Sequence, residues 1–269
     1  MPARLRRIAA VLLRLFYLLR SSSARIVPLF AWQAVDIVLW GFISQFLNSV
    51  SAARFNFIST LLGAVVLWDF LVRCLHGVII AFMEDVWSRN FLNLFASPLS
   101  IAEYFSGLVL FSISSSLVVL AMMVGVATAA FGLSFFSYGL MLIPFLLLLF
   151  LFGIALGIFG AAIVLRWGPA AEWLIWPIPA LLSPLACVFY PLSALPTWLQ
   201  WVARLVPPSY VFEGMRQVAA GHREPLMSLL VGAALTTLAL LAAGSAFVRV
   251  YHHALRTGLI ARYTAESVG

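Results

Sequence analysis

Long runs of apolar residues are the feature that most limits how this chain folds. Six such runs lie near positions 26–47, 57–83, 105–131, 138–165, 173–192 and 226–248, and about 20 apolar residues are enough to cross a bilayer as a helix. A helix satisfies its backbone hydrogen bonds internally, which lipid cannot do for it. The sequence therefore predicts an all-α integral membrane protein with six transmembrane helices in one domain over residues 26–248.

Charged residues are few, and they mainly mark orientation. Of the 269 residues, 64% are hydrophobic and 9% are charged, whereas a soluble domain carries about 25% charged residues. All 16 basic residues are arginine, which is typical of a GC-rich bacterial genome. If the N-terminus is inside, eleven arginines fall in cytoplasmic segments and four in outer segments, with Arg73 inside a run.

Cytoplasmic segments of membrane proteins carry an excess of Lys and Arg. This count therefore predicts that both termini lie in the cytoplasm, including a short polar tail over residues 249–269. The predicted location is the cytoplasmic (inner) membrane of a bacterium, with the chain crossing it several times.

Residues 1–25 predict an amphipathic helix that lies on the membrane surface. Arg4, Arg7 and Arg14 share one face of a helical wheel, beside a face of leucine and isoleucine. Arg14 interrupts the apolar part, so we do not expect a cleaved signal peptide. A basic amphipathic helix of this kind binds the anionic cytoplasmic surface.

The longest polar-decorated interruption in the first half of the chain runs from Glu84 to Tyr104. Polar and apolar side chains are mixed up to Phe95, and a proline then stops the helix. Ser100, with Glu103 three residues later, has the capping-box pattern that begins a new helix. The interruption is either a solvated loop or a short amphipathic helix over Glu84–Phe95 that docks a cytoplasmic partner. The residues expected to couple to that partner are Glu84, Asp85, Arg89, Asn90, Asn93 and Pro98.

A second unusual segment, Tyr190–Pro225, lies between the last two apolar runs on the predicted outer side. It is too apolar for a solvated loop, and Pro207-Pro208 divides it into two short helices. We interpret it as a re-entrant or interfacial hairpin, with Trp198 at the membrane boundary. Glu213 and Arg216 are three residues apart, which suits a local ion pair, a gate element or a contact with the polar head of a substrate.

Four polar residues lie inside the first two apolar runs. Asp36 is near the middle of the first run, and Asp69, Arg73 and His76 share one helical face in the second. A charge at the bilayer centre costs about 2.5–3.5 kcal/mol on insertion scales, so these side chains should face protein or water. Either an ion pair of Arg73 with Asp69 or Asp36 locks helices together, or the four residues line a translocation route.

The sequence offers little for catalysis. It contains no GxxxxGK[ST] phosphate loop, no HExxH and no CxxC, and we expect no catalytic site, cofactor or metal in this chain. Cys74 and Cys187 lie in apolar runs, where they are expected to be buried thiols. Gly153 and Gly157 fit small-xxx-small helix packing, within one subunit or between two.

Two motifs occur in order along the chain. The first is Glu84-Asp85 followed by Arg89-Asn90 and LFASPLSIAEY. The second is VFYPLSALPTWLQWVARLVPPSYVFEGMR, which contains Tyr210 and ends at Arg216. With the amphipathic start and the six apolar runs, these motifs resemble the ABC-2-type integral membrane subunits of bacterial ABC exporters.

The resemblance implies a function that the residues alone do not give. Two such subunits would pair, most simply as a homodimer, around a translocation pathway, and each would dock a separate ATPase subunit that binds ATP and Mg. Residues 84–93 would contact that ATPase, with membrane lipids as the other partner. ATP hydrolysis would then move a hydrophobic or amphipathic small molecule, a lipid or a glycoconjugate out of the cytoplasm.

Other classes stay open on the residues themselves. Asp36, Asp69, Arg73 and His76 also suit the proton or ion relay of an ion-coupled secondary transporter, which would work without an ATPase. A membrane scaffold would transport nothing. The positive net charge does not predict a nucleic-acid partner, because arginines in a membrane protein mark orientation first.

Overall fold

The computed structural model describes residues 3–50, 58–88, 90, 93–94, 97–219 and 225–258. A π-helical turn, Ile58–Leu62, leads directly into the third helix. The helices in chain order are α1 (Ala3–Arg20), α2 (Ser23–Val50), α3 (Gly63–Trp87), α4 (Ile101–Phe131), α5 (Leu142–Trp167), α6 (Ile178–Leu182), α7 (Thr197–Ala203), α8 (Pro207–Ala219) and α9 (Leu226–Thr257). Short 3₁₀ turns lie at Phe135–Met141, Pro169–Leu174 and Leu192–Ala194.

Five helical segments of the described chain are long and apolar enough to cross a membrane. They agree with five of the six predicted helices and with the all-helical class. The fifth predicted run, near positions 173–192, is instead a series of short helices and turns. Prolines at 177, 179, 184 and 191 explain this, because each lacks a backbone N–H and clashes with the preceding helical turn. The segments are Ser23–Val50, Ile58–Trp87, Ile101–Phe131, Gly139–Trp167 and Leu226–Thr257.

The first and last described helices contribute to one apolar cluster at one end of the bundle, called the α1 end below. There Val11 of α1 joins an apolar cluster with Phe82 of α3, Tyr104 of α4 and Phe247 of α9. The rings of Phe82 and Phe247 are 6.2 Å apart between centroids, in an edge-on arrangement. At the opposite end, the backbone of Gly214 in α8 lies against Phe145, near the start of α5.

The broken segment after α5 leads from the α1 end towards the opposite end. Near its start, Ile175 packs on Gly160 of α5, where an added Cβ would be 3.2 Å from the Ile175 side chain. Near its end, the carbonyl oxygen of Val188 accepts a hydrogen bond from Arg216 of α8 over 3.4 Å. This path supports a sixth crossing, which remains a prediction, as does the re-entrant character of the hairpin α7–α8.

Helix α3 forms the centre of the bundle. In the most apolar stretch of the span that contains α3, 78% of the residues are buried, whereas the corresponding fraction for α2 is 11%. Helix α3 therefore lies in the core and α2 at the periphery. Helix α3 packs chiefly against α4 and α5. A buried helix needs apolar residues on every face, and α3 has them except at the polar positions near its middle.

Two glycines of α5 explain how closely it approaches α3. A Cβ added at Gly153 would lie 2.7 Å from the carbonyl oxygen of Leu71, and one at Gly157 would lie 2.7 Å from the Cβ of Val78. The small-xxx-small pattern therefore packs two helices of the same subunit, which decides between the two alternatives left open by the sequence. Close backbone approach of this kind is a main source of helix association in lipid.

This packing predicts that Gly157→Val destabilises the protein, since the added side chain meets the α3 backbone and Val78. Overpacking typically costs about 1–3 kcal/mol, and we expect a lower midpoint of thermal unfolding in detergent. Gly125→Val is the matched control, because nothing lies within 4 Å of a Cβ at Gly125. Equal midpoints for the two variants would contradict a tight α3–α5 contact.

Candidate functional site

Three arginines attach the N-terminal region to acids at the α1 end. Arg14 lies 2.6 Å from the carboxylate of Asp85, and Arg7 lies 3.2 Å from that of Glu103. Arg25 donates to both carboxylate oxygens of Glu84, over 2.9 and 3.1 Å. These arginines therefore bind carboxylates of α3 and α4, where the sequence predicted contact with anionic lipid. The three pairs are called the arginine clamp below.

Asp85 is the buried centre of the clamp. Its side chain is 1% exposed, and it also accepts a hydrogen bond from the hydroxyl of Tyr104 over 2.7 Å. Tyr104 is itself fully buried. A buried carboxylate needs both a cation and hydrogen bonds, and Arg14 and Tyr104 supply them. Asp85 is therefore enclosed by its own chain and presents no surface to a second protein.

The predicted docking helix over Glu84–Phe95 is wrong at its start. Helix α3 continues to Trp87, so Glu84 and Asp85 end a membrane helix and do not begin a separate one. Beyond it, the side-chain amide of Asn93 donates to that of Asn90 over 3.3 Å, and Asn93 is exposed. Arg89 lies outside the described residues, together with positions 91–92 and 95–96.

The predicted capping box is confirmed at the start of α4. The Ser100 hydroxyl accepts from the backbone N–H of Glu103 over 3.3 Å, and the Ser100 N–H donates back to the Glu103 carboxylate over 2.9 Å. The same carboxylate binds Arg7, which also donates to the carbonyl oxygen of Pro98. The turn at Pro98 is thereby joined to α1 as well as to α4.

A cavity of about 660 Å³ lies beside the clamp, between α1, α2 and α3. All four polar residues singled out inside the apolar runs line it, namely Asp36, Asp69, Arg73 and His76. Its wall is otherwise largely apolar, with leucines of α1 and tryptophans from three parts of the chain. The four residues therefore share one cavity, and its role as a translocation route stays a prediction.

The predicted ion pair of Arg73 does not form. Among the described residues no carboxylate lies within 4.0 Å of its guanidinium. Arg73 is 5% exposed and donates instead to the hydroxyl of Ser115 on α4 over 3.3 Å. Arg73 and Asp69 lie on one face of the same helix, and that face is turned to the cavity.

Tryptophans are part of this wall, and the sequence reasoning missed them. Trp176 lies over the ring of His76, with centroids 4.6 Å apart. Its indole N–H donates to the carboxylate of Glu172 over 3.3 Å, and burial raises the pKa of Glu172. Trp32 of α2 and Trp87 of α3 also line the cavity and are 69% and 52% exposed, so the cavity opens to the surface of the subunit.

The hairpin α7–α8 contains the local ion pair that the sequence suggested. The Glu213 carboxylate lies 2.9 Å from the guanidinium of Arg216 and also accepts from the backbone N–H of Leu192 over 3.4 Å. The pair thus attaches α8 to the broken segment before it. Trp198 is 67% exposed, as a side chain at a membrane boundary would be, and the Tyr210 hydroxyl donates to the carbonyl oxygen of Arg204 over 3.0 Å.

Comparison with known proteins points to one family. The family model described as "ABC-2 type transporter" matches residues 14–219. No curated protein matches the chain. The matched residues include the pair of Arg14 with Asp85, the part of α3 that faces the cavity, and the hairpin α7–α8.

The burial of the clamp predicts a clear order among its variants. Arg14→Ala leaves the carboxylate of Asp85 buried and without its cation, which typically costs about 3–5 kcal/mol. Arg7→Ala removes a pair whose arginine is 40% exposed, and exposed pairs contribute about 0–1 kcal/mol. We expect Arg14→Ala to give the larger loss of thermal midpoint and the faster trypsin cleavage within α1. Equal effects of the two variants would show that α1 is held by its apolar face alone.

Proposed function

The chain belongs to the ABC-2 type transporter family, and on that premise we propose that it is the permease of an ATP-driven exporter. As a member of this family it is a multi-pass membrane subunit of an ABC transporter, a kind of subunit that normally works with an ABC ATPase and is generally not catalytic itself. The proposal adds direction and cargo: a hydrophobic or amphipathic molecule, a lipid or a glycoconjugate leaves the cytoplasm. Two permease subunits form the pathway as a homodimer.

The ATPase would bind at residues 88–100, between α3 and α4. The observation that carries this proposal is the clamp, because Arg7 and Arg14 join the helices on both sides of that segment to α1. A force applied to the segment would therefore be shared by three helices and not absorbed by a flexible loop. ATP and Mg belong to the partner in this proposal, with one ATPase for each of two permeases.

Helix α3 offers a direct route from the ATPase to the cavity. Glu84 and Asp85 are at its end, and Asp69 and Arg73 lie three to four helical turns earlier on the same continuous helix. Packed interiors transmit displacement because they have few voids, and α3 is the most buried of the candidate spans. A tilt or shift of α3 would move these polar side chains relative to Asp36 on α2.

The orientation proposed places the α1 end in the cytoplasm. Arginines on α1, at Arg166 and in the last turns of α9 all lie at or near that end, as the excess of positive charge on cytoplasmic segments requires. Both termini, the ATPase and the segment 88–100 would then share one compartment. The membrane proposed is the inner membrane of a bacterium.

The docking proposal predicts that Asn93→Arg weakens binding of an ABC ATPase from the same genome, co-expressed with the chain and recognised by its P-loop. The residue is exposed in the segment 88–100, and a bulky charge at an interface should lower retention by about tenfold, or 1.4 kcal/mol. Ser193→Arg is the control, because Ser193 is exposed beside the hairpin, far from the α1 end. The measurement is the ratio of ATPase to permease after affinity purification.

Equal retention for both variants would place the ATPase elsewhere.

Transport in vesicles decides between an ATP-driven exporter and an ion-coupled carrier. We expect uptake of the exported molecule into inverted vesicles to require ATP and to continue when a protonophore is present. Uptake that a protonophore abolishes, without any ATPase present, would establish the ion-coupled class instead.

A further inference from the structure

The cavity holds four buried polar atoms that have no hydrogen-bond partner among the described residues. They are Gln33 Oε1, Asp69 Oδ2, Arg73 Nε and His76 Nε2, and all four residues line the cavity. A buried polar atom without a partner is destabilising, and native proteins contain few of them. Four around one space indicate that a polar group completes this site when it is occupied.

The charges around the cavity favour a cation. Its charged lining residues are Arg25, Asp36, Asp69, Arg73 and Glu84. Arg25 and Glu84 satisfy each other as a bidentate pair. That leaves two carboxylates and one guanidinium, of which Nη2 donates to Ser115 while Nε has no partner among the described residues. The acceptors Gln33 Oε1 and Asp69 Oδ2 call for a group that donates hydrogen bonds.

The rest of the wall favours an aromatic or apolar body attached to that cation. Leucines of α1, together with Val72 and Ile80, provide apolar surface, and Trp32, Trp87 and Trp176 provide ring faces. Tryptophan is the side chain that attracts cations most strongly through its ring. The volume of about 660 Å³ lies within the range of about 300–1,000 Å³ that small-molecule sites occupy.

We propose that this cavity binds an amphipathic organic cation, whose protonated amine lies between Asp36, Asp69 and Gln33 and whose apolar body lies against the leucines and tryptophans. The inference names the substrate class of the proposed exporter and rests on that function. It selects one chemistry from the wider set of hydrophobic molecules, lipids and glycoconjugates. The opening beside Trp32 allows such a molecule to enter from the membrane.

The test uses dansylcadaverine, a fluorescent primary amine, and the purified chain in phosphatidylcholine nanodiscs. N-acetyl-dansylcadaverine is the matched probe, because it keeps the same ring and linker and lacks the charge. We expect saturable energy transfer from tryptophan to the amine and at least about tenfold weaker binding of the acetylated probe, since hydrogen bonds to charged groups are stronger than those between neutral groups. Empty nanodiscs correct for partitioning into lipid.

Variants locate the amine. Asp69→Asn should weaken amine binding by about tenfold, and Gln33→Glu should strengthen it, because it adds a carboxylate beside the same space. Glu213→Gln, which removes a carboxylate at the opposite end, should leave the binding constant unchanged. The Gln33→Glu variant keeps the test decisive even where Asp69→Asn folds poorly.

Equal binding of the two probes, or no gain from Gln33→Glu, would overturn the cation site. Binding is measured without an ATPase and docking is measured without a ligand, so the two proposals fail separately. If Asn93→Arg alone loses the ATPase and both probes bind equally, the docking proposal stands and the cation site is wrong. The protein would then be an exporter of a different substrate. If the chain binds the amine selectively but retains no ATPase, the cation site stands and the ATP-driven mechanism is wrong.

Discussion

A carboxylate that is buried away from water needs a cation beside it. Asp85 is such a carboxylate, and it lies at the centre of the α1 end. Its side chain is 1% exposed, and the low dielectric of such a position makes the unpaired ion too costly to retain. Arg14 satisfies it only when α1 lies against α3 and α4. This pairing helps to fix the position of α1, which forms one wall of the cavity and supports the segment 88–100.

Helix α3 serves two purposes on two faces. One face is packed against the glycines of α5, with backbone atoms in near contact, and this contact gives it a fixed position. The other face carries Asp69, Arg73 and His76 to the cavity, where α2 provides the facing wall. Helices α2 and α3 thus enclose the same polar space.

The sequence predicted those features that depend on local patterning. The five continuous apolar helices, the capping box of Ser100 and Glu103, and the pair of Glu213 with Arg216 all involve residues close together in the chain. The glycine spacing predicted a close contact without naming its partner. The four intramembrane polar residues were predicted to face protein or water, and the structure brings them to one cavity.

Features that depend on distant packing could not be obtained in this way. Arg14 and Asp85 are 71 positions apart, and nothing local distinguishes Arg14 from an arginine that faces lipid. Arg73 pairs with Ser115 on another helix, although Asp69 is nearer in sequence. Trp176 reaches the cavity because prolines break the segment around it, and the apolar character of that run suggested a continuous helix.

The separation of the clamp residues along the chain also has a consequence for biogenesis. Synthesis proceeds from the N-terminus at about 5–20 residues per second, so α1 leaves the ribosome well before Asp85 and Glu103, 71 and 96 positions later than their partners. In that interval the anionic membrane surface is the available counter-charge for Arg7 and Arg14. The helix would therefore begin as a surface-bound segment and exchange lipid headgroups for carboxylates once α3 and α4 are inserted. Docking of α1 would then mark the completion of the α1 end.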